Sequence, residues 1–405
     1  MPSTILSLLN MQLTADTEVA GAGTTAIKSD SDYLTQDNPS SQAPLDASNL
    51  LITRCKSLKP LPNALESRDA RGQHFTDHML QVEWTLASGW STPRITPYGN
   101  LCLDPATQVF HYAMECFEGM KAYKNKEGRV RMFRPEVNME RMCGSAQRIS
   151  LPTFEVREMT ELLAEFLRVE ERWVPDEFGQ SLYLRPTLIS TDPSIGVAPP
   201  RSALFYIIAR YEPVSVFPPP TPWKLFATTE YVRAWPGGYG SAKLGANYGP
   251  SVKAQVAAAK EGYQQNLWLW GEEDEITEVG TMNFFVVLQG AEGRELVTPP
   301  LSDAIIAGVT RRSVLELARR HLEGVKVSER KLTMSEFCEA AASGALLECF
   351  GTGTHYFVTP IGSVRYGEQT ITVPGEGLGE IGSMLRGYLA DIMWGVVDHE
   401  WSIAV

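Results

Sequence analysis

A proline-rich segment near the middle of the chain, residues 216–223 (VFPPPTPW), places the strongest constraint on how this sequence can fold. Its four prolines remove backbone N–H groups that a sheet or a helix interior needs, and they favour a stiff, extended conformation. The segment therefore predicts a linker between two domains. With 405 residues, the chain is also too long for one compact core.

Both sides of this linker alternate strand-like and helix-like patterns. Short apolar runs predict strands at 109–114, 128–133, 182–189, 203–209, 223–227, 266–270, 283–288 and 345–350. Helical spacing predicts helices at 135–148 and 156–170, at 251–261 with Ser251 as its cap, and after Gly308. We therefore predict a mixed α/β fold with a smaller N-terminal domain at 51–215 and a larger C-terminal domain at 224–405.

The first 50 residues differ in composition from the rest of the chain. They are rich in Ser, Thr, Ala, Asp and Asn, and contain one base, Lys28, against six acids. This composition predicts a poorly ordered tail at 1–50. Because a mitochondrial presequence is rich in arginine and poor in acids, and a signal peptide begins with basic residues, we expect a cytoplasmic protein.

Charge, hydropathy and cysteine spacing argue against several classes of protein. A net charge of −12 argues against general nucleic-acid binding, which needs clustered positive charge. No apolar run reaches the roughly 18 residues that a membrane-spanning helix requires. The six cysteines form no C-x-x-C pair, so the sequence predicts neither a metal site nor a disulfide scaffold. A soluble enzyme is the favoured class.

The segment 237–250 (GGYGSAKLGANYGP) has five glycines around a single basic residue, Lys243. Glycines allow backbone to approach a ligand closely, and a lysine amine inside such a loop is able to bond covalently to a carbonyl group. Taken alone, the segment is explained equally well by a flexible surface loop with an exposed lysine.

Other segments indicate sites for an anion and for a charged ring. The helix start at 308–313 (GVTRRS) and the segment 350–354 (FGTGT) present amides and hydroxyls that suit an anion. Arg141 offers a charged fork that suits phosphate, and Glu278 offers a carboxylate that would keep a pyridine nitrogen protonated. Each has a commoner explanation alone: an unliganded helix start, a surface ion pair or an exposed acid.

Eight segments, in this order along the chain, resemble those of the branched-chain aminotransferases, which are fold-type-IV pyridoxal-phosphate (PLP) enzymes. They are FEGMKAY (117–123), FRPEVNMERM (133–142), SLYLRP (181–186), DPSIGV (192–197), RAWPGGYGSAKLGANYGP (233–250), ITEVGTMNFF (276–285), GVTRRS (308–313) and FGTGT (350–354). The resemblance runs from about residue 75 onward. It implies a reversible ping-pong transfer of the amino group between L-leucine, L-isoleucine or L-valine and 2-oxoglutarate.

The same resemblance implies PLP as the cofactor and assigns residues to it. Lys243 matches the lysine that holds the cofactor covalently and carries the proton during the reaction. Glu278 matches the partner of the pyridine nitrogen, and Tyr248 matches the partner of the phenolic oxygen. The remaining implied contacts are Arg141, Val309, Thr310 and Thr352 at the phosphate and Arg233 elsewhere on the cofactor.

Substrate contacts and a homodimer with shared active sites are implied in the same way. Arg185 resembles the arginine that accepts the second carboxylate from 2-oxoglutarate or glutamate. Tyr112 and Val197 would come from the neighbouring subunit. The other implied contacts are Phe117, Tyr183 and Thr281 around the side chain, and Thr354 and His355 at the α-carboxylate.

Two positions depart from the family pattern. His355 stands where a small residue is usual, beside the α-carboxylate site. Tyr356 and Thr359 occupy the places of a C-x-x-C pair found in mammalian members, so redox control of that kind is not expected. Two alternatives stay open: another fold-type-IV enzyme, such as a D-amino-acid aminotransferase or an aminodeoxychorismate lyase, and a catalytically inactive homologue.

Overall fold

The computed structural model describes residues 42–62, 74–212 and 215–405. Gln42–Val405 form one compact unit, and its mixed α/β architecture confirms the predicted fold class. Residues 1–41 of the predicted tail lie outside the described residues. The predicted end of that tail at residue 50 is wrong, because Leu45 and Ala47 are buried in the hydrophobic core of the first sheet.

The first sheet has ten strands among the described residues, in the order β1-β4-β2-β9-β8-β6-β7-β19, with β3 paired to β2 and β5 to β8. The strands are β1 (Leu51–Ile52), β2 (His78–Thr85), β3 (Gly89–Trp90), β4 (Arg94–Pro97), β5 (Glu115–Phe117), β6 (Met120–Lys124), β7 (Val130–Phe133), β8 (Ser181–Ser190), β9 (Ser202–Glu212) and β19 (Ser402–Ala404). Helices α2 (Pro135–Arg148) and α3 (Val156–Glu170) pack against this sheet through their apolar faces. Both helices match the predicted ranges.

One predicted strand is wrong. Residues 109–114 fall mostly within a short helix, α1 (Gln108–Tyr112), which ends where Ala113 adopts a left-handed conformation. The apolar run there is too short for its periodicity to separate a helix from a strand. The side-chain amide of Gln108 bonds to Ser190 and to the carbonyls of Gly196 and Ala198, which fixes the helix start by tertiary contacts.

The second sheet curls into a closed barrel. Its strands are β10 (Trp223–Thr228), β11 (Gln265–Trp270), β12 (Glu275–Val279), β13 (Met282–Gly290), β14 (Gly293–Thr298), β15 (Val325–Glu329), β16 (Leu346–Gly353), β17 (Phe357–Tyr366) and β18 (Gln369–Thr372). The order β12-β11-β10-β17-β16-β13 closes because β12 also pairs with β13. Closure leaves these six strands without a free edge among themselves.

Four helices accompany the barrel in the part of the chain that the structure describes: α4 (Val252–Lys260), α5 (Val309–His321), α6 (Met334–Ser343) and α7 (Glu380–Met393). Ser251 occupies the predicted N-cap position of α4, but among the described residues its hydroxyl accepts no backbone N–H of the helix. It donates to the carbonyl of Tyr248 and accepts a hydrogen bond from the Gln255 side chain. No helix among the described residues has the length and apolar character needed to cross a bilayer.

The chain does not keep the two sheets fully separate. After α7 it returns to the first sheet, where β19 pairs antiparallel with β7. The first sheet therefore includes residues from beyond the predicted boundary at 223. The domain bounds 51–215 and 224–405, with the linker at 216–223, stay a prediction.

Candidate active site

A cavity of about 600 Å³ lies between one face of the first sheet, the glycine-rich loop 237–250, the start of α5 and the end of β16. This volume falls within the range of sites for small ligands. The cavity brings together most of the site residues predicted from the sequence: Phe117, Arg141, Tyr183, Arg185, Lys243, Tyr248, Thr281, Val309, Thr310, Thr352, Thr354 and His355.

Lys243 is held in place by its backbone and directs its amine into the cavity. Its N–H donates to the Ser145 hydroxyl of α2 over 2.9 Å, and its carbonyl accepts the N–H of Phe117 over 3.1 Å. The Lys243 Nζ lies 2.9 Å from the Tyr248 hydroxyl and 4.8 Å from the centre of the Phe117 ring. The loop is therefore anchored to two elements of the first sheet layer, unlike a flexible surface loop.

Glu278 on β12 is a buried carboxylate beside the cavity, with 1% of its surface exposed. It accepts hydrogen bonds from the N–H of Ile306 (2.8 Å) and from Asn283 Nδ2 (3.3 Å). The Arg233 guanidinium lies 3.2 Å from its second oxygen. Burial raises the pKa of Glu278 above its ordinary value, although Arg233 opposes this. A further positive charge near Glu278 would therefore be stabilised.

An anion site is built at the start of α5. No side chain caps this helix, and Val309 and Thr310 of its first turn line the cavity. Free amides at a helix start attract anions through hydrogen bonds and the helix dipole. The hydroxyl of Thr352 is buried and has no hydrogen-bond partner among the described residues. Together with Arg141, these groups suit a phosphate.

Arg141 is oriented by an acid that the sequence analysis missed. Glu118 is fully buried and accepts hydrogen bonds from Arg141 Nε and Nη2, each over 2.7 Å. Asn138 Nδ2 donates to the same carboxylate over 2.9 Å, and Arg141 Nη1 donates to the carbonyl of Ala307. Burial raises the pKa of Glu118, but the Arg141 guanidinium more than offsets this and holds the pKa below its ordinary value. Glu118 lies between β5 and β6 in a segment that also contains Glu115 and Lys121, so the local sequence pattern did not indicate a buried acid there.

Aromatic rings and a second arginine form the sheet-side wall. Arg185 Nη2 donates to the Tyr183 hydroxyl over 2.9 Å, and the Arg185 Cζ lies 4.7 Å from the centre of the Phe117 ring. Arg210 on β9 lines the same wall, as does Glu115 on β5. Neither residue was predicted, because the strand pairing that brings both to this wall is not visible from sequence spacing.

The turn between β16 and β17 closes the cavity beside this wall. The Thr354 hydroxyl donates to the carbonyl of Gly119 over 3.1 Å. The carbonyl of His355 accepts a hydrogen bond of 2.8 Å from the buried Lys121 Nζ. About half of the His355 side chain is exposed, so it lies at the rim instead of filling the cavity.

Two predicted substrate contacts lie outside the cavity. Tyr112 and Val197 are exposed, with 82% of the Val197 surface accessible. The Tyr112 hydroxyl donates to the carbonyl of Ile195, which ties α1 to the loop before β9. Their contribution to a neighbouring subunit's site stays a prediction. Within the described part of the chain, no cluster of His, Cys, Asp and Glu is arranged to hold a metal ion.

Comparisons with known proteins agree with this geometry. The family model described as Amino-transferase class IV matches residues 115–364. The chain is 46% identical to the mitochondrial branched-chain-amino-acid aminotransferase of Schizosaccharomyces pombe, over 89% of this chain and 86% of that protein. It is 47% identical to the cytosolic enzyme of that name from Saccharomyces cerevisiae, over 90% of this chain and 98% of that protein.

Solved structures share the fold. The crystal structure of the branched-chain amino acid aminotransferase from Thermobaculum terrenum in its PLP form matches with a TM-score of 0.67. The match covers 82% of this chain and 99% of that chain at 23% identity.

Proposed function

This chain belongs to the class IV aminotransferases and, within them, to the branched-chain-amino-acid aminotransferases, and from this premise we propose how its cavity performs transamination. The reaction moves the amino group of L-leucine, L-isoleucine or L-valine reversibly to 2-oxoglutarate, and it yields a branched-chain 2-oxo acid and L-glutamate. One observation carries the proposal: the Lys243 amine lies in a cavity that also contains an anion site and an arginine among aromatic rings.

The residues of this cavity fit PLP, the cofactor of the enzyme. The unpartnered Thr352 hydroxyl, the α5 amides and Arg141 suit its phosphate. Glu278 suits its ring nitrogen, because a buried carboxylate with a raised pKa is stabilised by a nearby positive charge. When bound, PLP supplies an aldehyde that bonds to amines and a protonated ring that draws electrons.

Lys243 and Tyr248 carry the proton chemistry in this proposal. With the cofactor bound, the Lys243 amine would hold it covalently between turnovers and would accept the proton that leaves the substrate Cα. The Tyr248 hydroxyl, 2.9 Å from Lys243 Nζ, would hydrogen-bond the phenolic oxygen of the cofactor. Glu278 would keep a proton on the ring nitrogen, and Arg233, 3.2 Å from the Glu278 carboxylate, would contact the cofactor beside it.

The sheet-side wall suits both halves of the reaction. One pocket must accept an apolar side chain in one half-reaction and a carboxylate in the other. Phe117 and Tyr183 supply apolar rings and Arg185 supplies a charge within reach, while Thr281 borders the same space. The amides near Thr354 and His355 hold the α-carboxylate in this proposal.

We also propose a homodimer in which Tyr112 and Val197 of each subunit complete the other subunit's cavity. Their exposure supports this arrangement. A cytoplasmic location is proposed from the acidic composition of residues 1–50. Relatives named as cytosolic and as mitochondrial both exist, and microscopy of a fluorescent fusion would decide between the two compartments.

A panel of amino donors with 2-oxoglutarate tests the function directly. We expect glutamate formation with L-leucine, L-isoleucine and L-valine, none with D-amino acids, and loss of activity in Lys243→Ala. Borohydride should fix the cofactor to the wild type and not to Lys243→Ala. Activity with D-alanine alone would indicate a D-amino-acid aminotransferase, and bound PLP without turnover of any donor would indicate an inactive homologue.

A further inference from the structure

The sheet-side wall of the cavity carries more positive charge than one arginine provides. In the first sheet, Lys121 of β6 is paired with Tyr183 of β8, and Tyr183 is paired with Arg210 of β9. Paired residues on neighbouring strands share a face, as do residues two apart on one strand. Arg185 and Glu212 therefore lie on the same face as these three side chains.

Two cations and a histidine on this wall share one carboxylate. Glu212 contacts Arg210, lies 3.1 Å from Lys121 Nζ, and is also 3.7 Å from His355 Nδ1. Burial raises the pKa of Glu212, but Lys121, His355 and Arg210 more than offset this and hold it below its ordinary value. Glu212 is therefore ionised. The ammonium group of the buried Lys121 offsets much of the negative charge of Glu212.

Arg185 and Arg210 each have an N–H group that the described residues leave without a hydrogen-bond partner. Among the described residues, the Nε groups of Arg185 and Arg210 are buried and have no hydrogen-bond partner. Arg185 has no carboxylate within 4.0 Å in the same part of the chain, and Glu115 is the acid among the residues that line the cavity. Burial raises the pKa of Glu115, although Arg185 opposes this. The wall thus has a positive excess that faces the cavity.

We propose that Arg210 is a specificity-determining residue which binds, together with Arg185, the second carboxylate of a dicarboxylic 2-oxo or amino acid. The two guanidinium carbons each lie 5.4 Å from the centre of the Tyr183 ring, so both groups lie close to it. A carboxylate has two oxygens, and two planar guanidinium groups are able to donate to both. The Tyr183 ring beside them still offers an apolar surface to a branched side chain. This inference rests on the proposed function.

Two carboxylic acids that cannot undergo transamination serve as inhibitors to test the sheet-side wall in the holoenzyme. Glutarate carries the second carboxylate, and 4-methylpentanoate carries a branched apolar end instead. We expect Arg210→Met to raise the inhibition constant of glutarate and the Michaelis constant for 2-oxoglutarate by about 10- to 100-fold, the usual effect of losing a hydrogen bond to a charged group. The inhibition constant of 4-methylpentanoate and the Michaelis constant for the corresponding oxo acid should change by less than about three-fold, because no second carboxylate is involved.

Two further variants, Arg157→Met and Arg210→Lys, serve as controls for the loss of an arginine and for the loss of its planar group. Arg157→Met removes an exposed arginine on α3, away from this cavity, and should change neither constant. Arg210→Lys keeps the charge but loses the planar fork, so glutarate binding should weaken by a smaller factor than in Arg210→Met. If Arg210→Met does not fold, as judged by its melting temperature, Arg210→Lys decides alone.

Unchanged glutarate binding in a folded Arg210 variant would overturn the inference, and so would equal losses for glutarate and 4-methylpentanoate. Neither result would touch the proposed function, since the wild type would still transaminate branched-chain substrates. Conversely, a wild type that forms no glutamate from leucine would refute the proposed function before any variant is measured.

Discussion

At the scale of single residues, the pair Glu118–Arg141 shows how a buried charge prepares an anion site. Both hydrogen bonds from Arg141 to the Glu118 carboxylate are 2.7 Å long. The pair fixes the guanidinium in one orientation before any anion arrives. Because the Arg141 guanidinium is already fixed, binding an anion costs less conformational entropy.

We expect Glu118→Gln to lower the free energy of unfolding of the apoenzyme by about 3–5 kcal/mol, since it leaves Arg141 buried without a counter-charge. Inorganic phosphate should then raise the melting temperature of this variant more than that of the wild type, because the anion replaces the missing charge. Thermal unfolding of the apoenzyme with and without phosphate measures both effects. Glu140→Gln, an exposed acid next to Arg141, is the control. Equal phosphate effects in variant and wild type would contradict the expectation.

The cysteines near the cavity are placed for packing instead of redox chemistry. Cys116 and Cys349 are buried, and burial raises the pKa of both thiols above the ordinary value. The thiolate is the reactive form of cysteine, so these thiols should be inert at neutral pH. Tyr356 and Thr359 supply no sulfur at the positions that carry the C-x-x-C pair in mammalian relatives.

We therefore expect activity to survive mild peroxide and to show no recovery with dithiothreitol. The assay compares the wild type with Cys116→Ser and Cys349→Ser after peroxide treatment. A reversible loss in the wild type that disappears in either variant would reveal a redox switch in this chain.

At the scale of elements, the start of α7 depends on one buried acid of β16. Glu348 accepts the N–H of Gly382 over 2.9 Å. A Cβ added at Gly379 or Gly382 would come within 2.7 or 2.2 Å of the Glu348 carboxylate, so a side chain at either position would displace this carboxylate. Burial raises the pKa of Glu348 to about 6, although the backbone amides oppose this.

A carboxyl group with a raised pKa binds its proton more tightly in the folded state than in the unfolded chain. Its contribution to stability is present in full below the unfolded pKa of about 4.5, and is lost as the pH rises through about 6. We expect the stability of the wild type relative to Glu348→Gln to fall by about 2 kcal/mol across this window and to stay constant above it. Unfolding followed from pH 4.5 to 7.5 in both proteins measures this, and a pH-independent difference would contradict it.

Local patterns predicted the elements whose signal is long and periodic. The helices Pro135–Arg148 and Val156–Glu170 were visible because more than three turns of apolar spacing separate helix from strand. The run at 109–114 was misassigned because its six residues fit either period. The order of the eight resembling segments along the chain predicted Lys243, Glu278 and Arg141 as site residues. Glu118 and Arg210 were missed, because their importance arises from burial and strand register, which depend on the whole fold.

At the scale of the whole molecule, the proposed sharing of active sites between two subunits predicts how much activity a mixed dimer should have. Lys243→Ala would inactivate the site of its own subunit, whereas Val197→Asp would damage only the site of the partner subunit. Each variant alone should be nearly inactive. In a mixed dimer, one site would combine an intact Lys243 with an intact Val197 from the other subunit.

We therefore expect denaturation and refolding of the two variants together to restore about a quarter of wild-type activity, since random pairing of a two-fold dimer gives half mixed dimers with one intact site each. The control mixes Lys243→Ala with Glu278→Gln, which both damage the same cavity and should give no recovery beyond their own residual activities. Absence of recovery in the first mixture, with dimers present by light scattering, would refute the shared site.

The return of β19 to the first sheet has a consequence for the order of events during synthesis. Strand β7 emerges from the ribosome long before its partner, since residues 134–401 must be made in between. At about 5–20 residues per second, the N–H and C=O groups along that edge wait on the order of tens of seconds. During this interval the nascent chain presents an open strand edge, to which another extended polypeptide is able to add. We expect chaperone binding to concentrate there, and the first sheet to be completed only after translation of the C-terminal strand.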